Sequence, residues 1–390
     1  MEAAYLAVCG VIAEYDPFHK GHERHLRLAR EKTGANHIVC VMSGSFTQRG
    51  LPALLPPRAR AEMALRCGAD AVLQLPYAFS VREAEFFALG GAAILHALGC
   101  VTHLSFGCET EDAGLLRRAA LLLENPDEAM SAALRTGLAR GLSFAAAQGR
   151  ALEKRLGLPA GALNAPNTAL ALCYLRALLR LDSAIMPVPI LRQGRYHAAE
   201  LEEEPSASAL RGAILRGDWA GIRSAVPEDV LPVLHKALAH GVCPPDGLDE
   251  TLRHRLLFST PEDIASWPGV SEGLEMRILK AAETAVTREA LIARVKTRRY
   301  TRGRISRALC HGLMGVARDD LPPLPACARV LGFRKSARPL MKRLRESGFP
   351  LYTRPARSAD ASLDIRADEM RCIGAGLPRG DTYRLSPVIV

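Results

Sequence analysis

His19 and His22 stand three residues apart in the run Glu14-Tyr15-Asp16-Pro17-Phe18-His19-Lys20-Gly21-His22. Two imidazoles joined through a glycine, which permits close backbone approach, can both face one phosphate. There they would donate hydrogen bonds to an oxygen that gains charge as the phosphorus is attacked. Zinc binding is a second chemistry for such a pair, but it needs a third ligand that the sequence does not place. A histidine-rich turn without chemistry would read the same way, so position decides. The run lies between an apolar stretch, 5–13, and an amphipathic one, 21–32, so Gly21 and His22 open a helix just after a buried strand. A helix N-terminus presents free N–H groups and a partial positive charge, which suits phosphate. Neither GxxxxGK[ST] nor GxGxxG occurs, so P-loop and dinucleotide readings have no support.

The elements that would position these residues alternate regularly. Strand-like runs at 5–13, 37–42, 70–75 and 101–106 are separated by helical patterns at 21–32, 58–67 and 82–98, and Gly68 sits where a helix C′ glycine belongs. This alternation predicts an α/β fold with a parallel sheet covered on both faces. Ligands bind such sheets beyond the carboxyl ends of the strands, which directs attention to the loops after the first, second and fourth strands. After the second strand, Ser43, Gly44, Gln48 and Arg49 are candidates for a substrate pocket. After the fourth, Gly107 would let backbone approach a nucleotide. Asn164 and Asn167 bracket Pro166 ahead of an apolar helix at 168–179, where Asn167 is a good N-cap. Arg192 follows a further apolar strand at 184–191. Ser206 or Ser208 would cap a helix whose N–H groups meet phosphates, with Arg211 adding a charge-assisted grip. An ordinary Ser-capped helix and a surface arginine would look the same.

With 390 residues, 48% hydrophobic and 24% charged, the chain has room for two or three folded domains. Residues 110–181 read as a helical insertion before the last strand of the core. The expected division is a catalytic domain at 1–218 and a mostly helical, basic region at 219–390. The formal net charge is +10, and its location is informative: between Arg288 and Arg357 eighteen Lys/Arg face four Asp/Glu, a net +14. Within that window Lys296, Arg298, Arg299, Arg302, Arg304 and Arg307 surround Tyr300, a mixture suited to phosphate contacts and base stacking on RNA. A solvated basic helix face is the plainer account of the same residues. The ten cysteines include no CxxC pair, and several lie in apolar runs, so reduced core thiols are expected. The opening residues lack a basic signal-peptide region, and no apolar stretch reaches the ~20 residues that span a bilayer. Together these point to a cytoplasmic protein with no membrane partner.

The first motif resembles that of the HxGH nucleotidylyltransferase superfamily, and the likeness runs further. GVIAEYDPFHKGHERHL, VMSGSFTQRGLPA, GADAVLQLPYAFS and HLSFGCE, then Asn164-Ala165-Pro166-Asn167, PILRQGRYH, KTRRYTRGRISRAL, RVLGFRKSARPLMKRLR and a closing SPVIV resemble the bacterial tRNA(Met) cytidine acetate ligases. Relatives usually carry Asn where this chain has Asp16. The resemblance implies a Rossmann-like nucleotidylyltransferase core that uses ATP, accompanied by magnesium, to convert acetate to acetyl-adenylate. The acetyl group would then pass to the N4 amine of the wobble cytidine of elongator tRNA(Met). It implies His19 and His22 as the catalytic pair and an ATP site built from Ile12, Ala13, Glu14, Tyr15, Asp16, Pro17, Phe18, His19, Lys20, Gly21, His22, Glu23, Arg24 and His25. Gly107, Asn164, Asn167, Arg192, Ser206, Ser208 and Arg211 complete it. Ser206–Arg211 matches the superfamily's S-[ST]-x-x-R motif loosely. No metal site within the protein is implied. Two other readings stay open on the residues alone: a small-molecule adenylyltransferase, which the long basic tail argues against, and a non-catalytic RNA-binding protein, which leaves His19, Gly21 and His22 unexplained.

Overall fold

The computed structural model describes residues 7–142, 144–163, 165–192, 206–354, 361–380 and 384–390. Five parallel strands form its centre: β1 (Val8–Ala13), β2 (His37–Ser43), β3 (Ala71–Leu75), β4 (His103–Cys108) and β5 (Met186–Leu191), in the order β5-β4-β1-β2-β3. β1 runs beside β2 with Val8 opposite His37 and Ala13 opposite Met42. The inner strands are covered on both faces, which is why VCGVIA, HIVCVMS and AVLQL are nearly continuous apolar runs. Alternate residues feed two cores. Val39, Val41 and Leu73 pack with the helices Ala84–Ala97 and Pro166–Arg180, while Val11, Cys40 and Met42 pack with Lys20–Thr33 and Pro57–Arg66.

The chain goes from β1 to β2 to β3 on one side, then crosses to place β4 on the other side of β1. The strand order therefore reverses at β1 and β4, and that crevice is where open α/β sheets bind ligands. The expected insertion is present as helices Ala113–Glu124, Glu128–Ala139 and Phe144–Leu156, ahead of Pro166–Arg180.

The sheet does not end at residue 218. β6 (Ala328–Phe333) pairs antiparallel with β3, and β7 (Leu351–Tyr352) and β8 (Val388–Ile389) each pair parallel with β6. The region after 218, expected to be mostly helical, thus adds β6, β7 and β8 to the same sheet. The physical reason is the edge of β3: a strand buried on both faces would otherwise expose its unpaired backbone groups, and ARVLGF covers them. The helices Asp249–Leu257, Leu274–Ala282, Arg288–Val295 and Arg302–Leu313 pack a core of their own around Trp267. All ten cysteines are free thiols, nine of them buried. No helix among the described residues is long and apolar enough to cross a membrane.

Candidate active site

His19 caps the helix Lys20–Thr33, and the cap fixes both imidazoles. The Gly21 N–H donates to His19 Nδ1 at 3.1 Å, and the His19 N–H donates to His22 Nδ1 at 3.2 Å. The rings stack with centroids 3.7 Å apart, and Tyr15 and Phe18 close around His22. Because each Nδ1 accepts a backbone N–H, the proton of each neutral ring belongs on Nε2, which leaves two N–H donors from one helix start. Burial, with the Arg192 charge adding to it, pushes His19 down to about 3. Burial holds His22 well below its ordinary value, with His19 and Arg192 contributing. At neutral pH the pair thus offers hydrogen bonds and not labile protons. One turn on, His25 Nε2 lies 3.1 Å from Ser105 Oγ, and burial pushes it to about 4.

Cations approach this pair from two later segments. Ser206 caps the helix Ala207–Arg216 through the Ala209 N–H at 3.0 Å, so Ser206 and not Ser208 is the cap. Ser208 instead accepts from Arg211 at 2.9 Å, and Arg211 also donates to the Asp16 backbone carbonyl at 2.6 Å and lies 3.5 Å from the Asp16 carboxylate. The other Asp16 oxygen accepts the Leu54 N–H at 2.8 Å. The Asp16 carboxylate is thereby matched by a guanidinium. From the end of β5, Arg192 donates to Asn167 Oδ1 at 3.2 Å. Glu109 in turn takes the Asn167 side-chain amide at 2.7 Å and the Thr168 N–H at 2.7 Å. Glu109 therefore satisfies the start of the helix Pro166–Arg180, and Asn167, read from sequence as the N-cap, lies inside its first turn. A Cβ on Gly107 would sit 3.0 Å from Arg192 Cγ, so this glycine makes room for the arginine stem.

The third wall is the loop after β2. Glu14 reaches it by accepting the Gln48 N–H at 2.6 Å. Burial pushes the Glu14 carboxyl above its ordinary value, opposed by that hydrogen bond and by Arg49 and Arg211. Arg60, fully buried, donates to the carbonyls of Leu55 at 3.2 Å, Glu14 at 2.6 Å and Gly44, tying the two loops together.

These walls enclose a cavity of about 290 Å³. Ile12, Ala13, Glu14, Tyr15, Asp16, His19, Gly21, His22, Arg24 and His25 line it, as do Gln48, Arg49, Gly107, Asn167, Arg192, Ser206, Ser208 and Arg211. Pro17 and Phe18 are buried beneath the loop, Lys20 is exposed, and Glu23 lies on the helix flank outside the cavity. Ser43 and Gly44 are also outside, buried at the end of β2. Asn164 lies outside the described residues. Sequence reasoning missed the apolar lining, Phe87, Phe106 and Tyr174, whose signal is indistinguishable from that of core residues. It also missed Cys243 and Pro245, which enter from beyond residue 218.

In the basic tail, Lys296 and Arg298 are exposed. Arg299 pairs with Glu272 at 2.6 Å and Arg302 with Glu289 at 2.5 Å, while Arg304 donates to the Gly269 carbonyl at 2.7 Å. Arg307 lies 3.6 Å from Glu83 with its side chain mostly covered. Tyr300 is buried in the helical core, its hydroxyl donating to the Glu272 carbonyl at 2.6 Å. The expectation that Tyr300 offers an open ring for base stacking is corrected: the aromatic among these cations serves packing.

Comparison with known proteins gives consistent results. The family described as HIGH Nucleotidyl Transferase matches residues 6–377. The tRNA(Met) cytidine acetate ligase of Halothermothrix orenii is 35% identical over 369 residues, spanning 89% of this chain and 87% of that protein. Its counterpart in Syntrophotalea carbinolica is 38% identical over 391 residues, spanning 97% and 89%. Among solved structures, Thermotoga maritima TmcAL in its apo form superposes with a TM-score of 0.90 at 28% identity, covering 98% of this chain and 99% of that one. The same protein bound with alpha-thio ATP gives 0.87 over the same shares.

Proposed function

We propose that this chain, which belongs to the tRNA(Met) cytidine acetate ligase family of HIGH nucleotidyl transferases, is an ATP-dependent ligase that activates acetate and acetylates the wobble cytidine of elongator tRNA(Met). The observation that carries the reading is that His19 and His22, each with its Nδ1 accepting a backbone N–H at a helix N-terminus, line one cavity with Arg192 and Arg211. This arrangement fits an α-phosphate under attack better than any proton-transfer chemistry, since neither imidazole titrates near neutral pH.

In the first step an acetate oxygen attacks the α-phosphorus in line. The new O–P bond forms as the bond to the β-phosphate oxygen breaks, and pyrophosphate leaves. His19 and His22 donate to the α-phosphate oxygens as charge develops there, and such fixed donors in a water-poor site need no reorganisation. Arg192 and Arg211 hold the rest of the triphosphate with charge-assisted hydrogen bonds. Phe87, Phe106 and Tyr174 supply an apolar wall for the adenine ring. In the second step the cytidine N4 amine attacks the acetyl carbonyl carbon. The C–N bond forms, the bond to the phosphate oxygen breaks, AMP leaves and the amine's proton passes to solvent.

Magnesium is the expected counterion of ATP. The acidic side chains on the cavity wall, Glu14 and Asp16, are committed to the backbone N–H groups of Gln48 and Leu54. Among the described residues no cluster of three His, Cys, Asp or Glu is suited to a metal. Accompanying ATP, the ion would sit on the phosphate oxygens and screen their charge. A tRNA substrate would be met in the cytoplasm, which supports that location for the enzyme. Lys296 and Arg298 are the cations of the 296–307 segment best placed to meet RNA phosphates, being exposed and without intramolecular partners among the described residues. The test is to incubate the protein with ATP and labelled acetate, with and without tRNA(Met), and to analyse the nucleosides by mass spectrometry. Adenylate and pyrophosphate without tRNA, and N4-acetylcytidine with it, are the expected products. Formation of adenylate with no transfer to tRNA would favour a small-molecule adenylyltransferase.

A further inference from the structure

We propose that the outward face of the helix Arg338–Glu346, with the groove between it and the end of β6, docks the phosphate backbone of the tRNA away from its reacting nucleotide. This surface rests on the functional reading above but on none of the residues assigned to RNA there. The helix sequence RPLMKRLRE divides cleanly. Leu340, Met341 and Leu344 are buried in the core beneath the sheet, which fixes the roll of the helix. Arg338, Lys342 and Arg345, at i, i+4 and i+7, are consequently exposed in one row, with Lys335 just ahead of them. At 1.5 Å per residue the row extends roughly 10 Å. Phe333, Arg338, Met341, Lys342, Arg345 and a single acid, Glu346, line a groove of about 490 Å³ along it.

What distinguishes this row is how its charges are left. Arg299, Arg302, Arg304 and Arg307 each spend their guanidinium on the protein itself. Among the described residues Arg338 and Arg345 have no acidic partner, and Lys342 has only Glu346 at 3.8 Å, with both side chains more than half exposed. A surface pair of that kind contributes little. Cations held in a row repel one another, and a polyanion relieves that repulsion.

The position of the groove selects a long ligand. β6 runs antiparallel to β3, so Phe333 lies opposite Ala71, the first residue of β3, at the sheet edge remote from the catalytic cavity. Five- to seven-residue strands at about 3.3 Å per residue separate the two edges by roughly 20 Å. A mononucleotide cannot bridge that distance. A nucleic acid strand, with a charge every ~3.4 Å, covers it in about six nucleotides. Contacts of this type set register and orientation and carry no base information, so the groove would steady the tRNA while the cavity selects the cytidine.

The experiment uses the full-length triple variant Arg338→Ala/Lys342→Ala/Arg345→Ala, with circular dichroism to verify folding. Filter binding of a tRNA(Met) transcript across several salt concentrations should give a log–log slope smaller by about 2 to 3, at roughly 0.7 to 0.9 per lost contact. The KM for tRNA should rise at least tenfold, while adenylate formation without tRNA stays at the wild-type rate. The charge-preserving variant Arg338→Lys/Arg345→Lys should keep binding within a few-fold, because a point charge suffices for phosphate. Parallel salt slopes and equal affinities in wild type and the triple variant would overturn the docking surface alone. Loss of binding in the Lys variant as well would show a packing effect and overturn it too. Wild-type protein that makes adenylate yet binds no tRNA would overturn both this surface and the functional reading.

Discussion

Replacing His22 by Ala separates the catalytic task proposed for it from its structural one. The ring accepts one hydrogen bond, from the His19 N–H, and stacks on His19, and it is only half-buried. Losing the hydrogen bond costs about as much as losing a helix cap, ~1 kcal/mol, so the variant should fold and melt only a few degrees lower. Losing the Nε2–H donor is more severe. Removal of one oxyanion donor costs about 10²- to 10³-fold in kcat, or ~2.7–4 kcal/mol of transition-state stabilisation. The assay is pyrophosphate release from ATP and acetate without tRNA, so the second half-reaction cannot mask the effect. A pH series sharpens it. Because burial pushes His19 down to about 3 and holds His22 well below its ordinary range, neither ring changes charge between pH 6 and 8. The wild-type rate should show no histidine titration there. Undiminished turnover in the variant would remove His22 from the site. A wild-type rate that falls through pH 6.5, with that dependence lost in the variant, would refute the neutral-donor argument and make His22 a proton-transfer group.

The remaining expectations concern the phosphates, the RNA and the fold. Arg192→Ala or Arg211→Ala should weaken a non-hydrolysable ATP analogue about 10- to 150-fold by calorimetry, from ~1.5–3 kcal/mol per charge-assisted bond, and wild-type affinity in both would place the triphosphate elsewhere. Neutralising Lys296, Arg298, Arg299 and Arg302 together should flatten the tRNA salt slope by only about 1.4 to 1.8, two contacts' worth, since Arg299 and Arg302 are already paired with Glu272 and Glu289. A drop of about 3 would show that those pairs open on RNA. Stability should decline as pH falls from 6.5 toward 4, because unfolding lets His25 take up a proton that its folded position, at about 4, refuses. Asp364, raised to about 6 by burial, acts in the opposite sense over part of that range. The informative quantity is therefore the difference between wild type and His25→Gln, and identical pH–stability curves would exclude His25 as a source.

The parts of this molecule legible in the sequence are those where a local pattern and its tertiary role coincide. The strands at 37–42 and 70–75 were readable because both faces are covered, so burial appears as an unbroken apolar run. The HxGH loop was readable because a strand end, a glycine and a helix start adjoin in sequence. Arg211 was found through its Ser-capped helix, although only the fold shows that it meets Asp16. What sequence hid depends on distant partners. ARVLGF has strand character, but its place beside β3 is set by an edge some 250 residues earlier that needs covering. Tyr300 lies among six cations, yet the nearby helices bury its ring around Trp267, a packing choice that charge counting cannot reveal. Phe87, Phe106 and Tyr174 are apolar residues on apolar elements, and whether such a residue faces a core or a cavity is a property of the assembled layers.

The basic region and the chemical cavity are also joined physically, through the loop after β2. Arg371 donates to the carbonyls of Ala53 at 3.0 Å and Leu54 at 2.8 Å, and Arg288 to that of Gly50 at 2.6 Å. Ser306 donates to the Arg49 carbonyl, and Ser45 to Asp368 at 2.5 Å, which pairs with Arg329 at 2.9 Å. Gly50 has a φ of 69°, and a Cβ there would lie 2.8 Å from the Ser306 carbonyl oxygen, so the loop and the helix Arg302–Leu313 touch through backbone. Buried carbonyls left without donors would each cost about 1–3 kcal/mol, so the conformation of residues 45–54 depends on side chains from beyond residue 218. Gln48 and Arg49, two walls of the cavity, are carried on that loop. The segment that holds the exposed cations thus also sets the shape of the pocket in which acetate would meet ATP. A core cut at 218 would lose the scaffold of one wall of its own cavity.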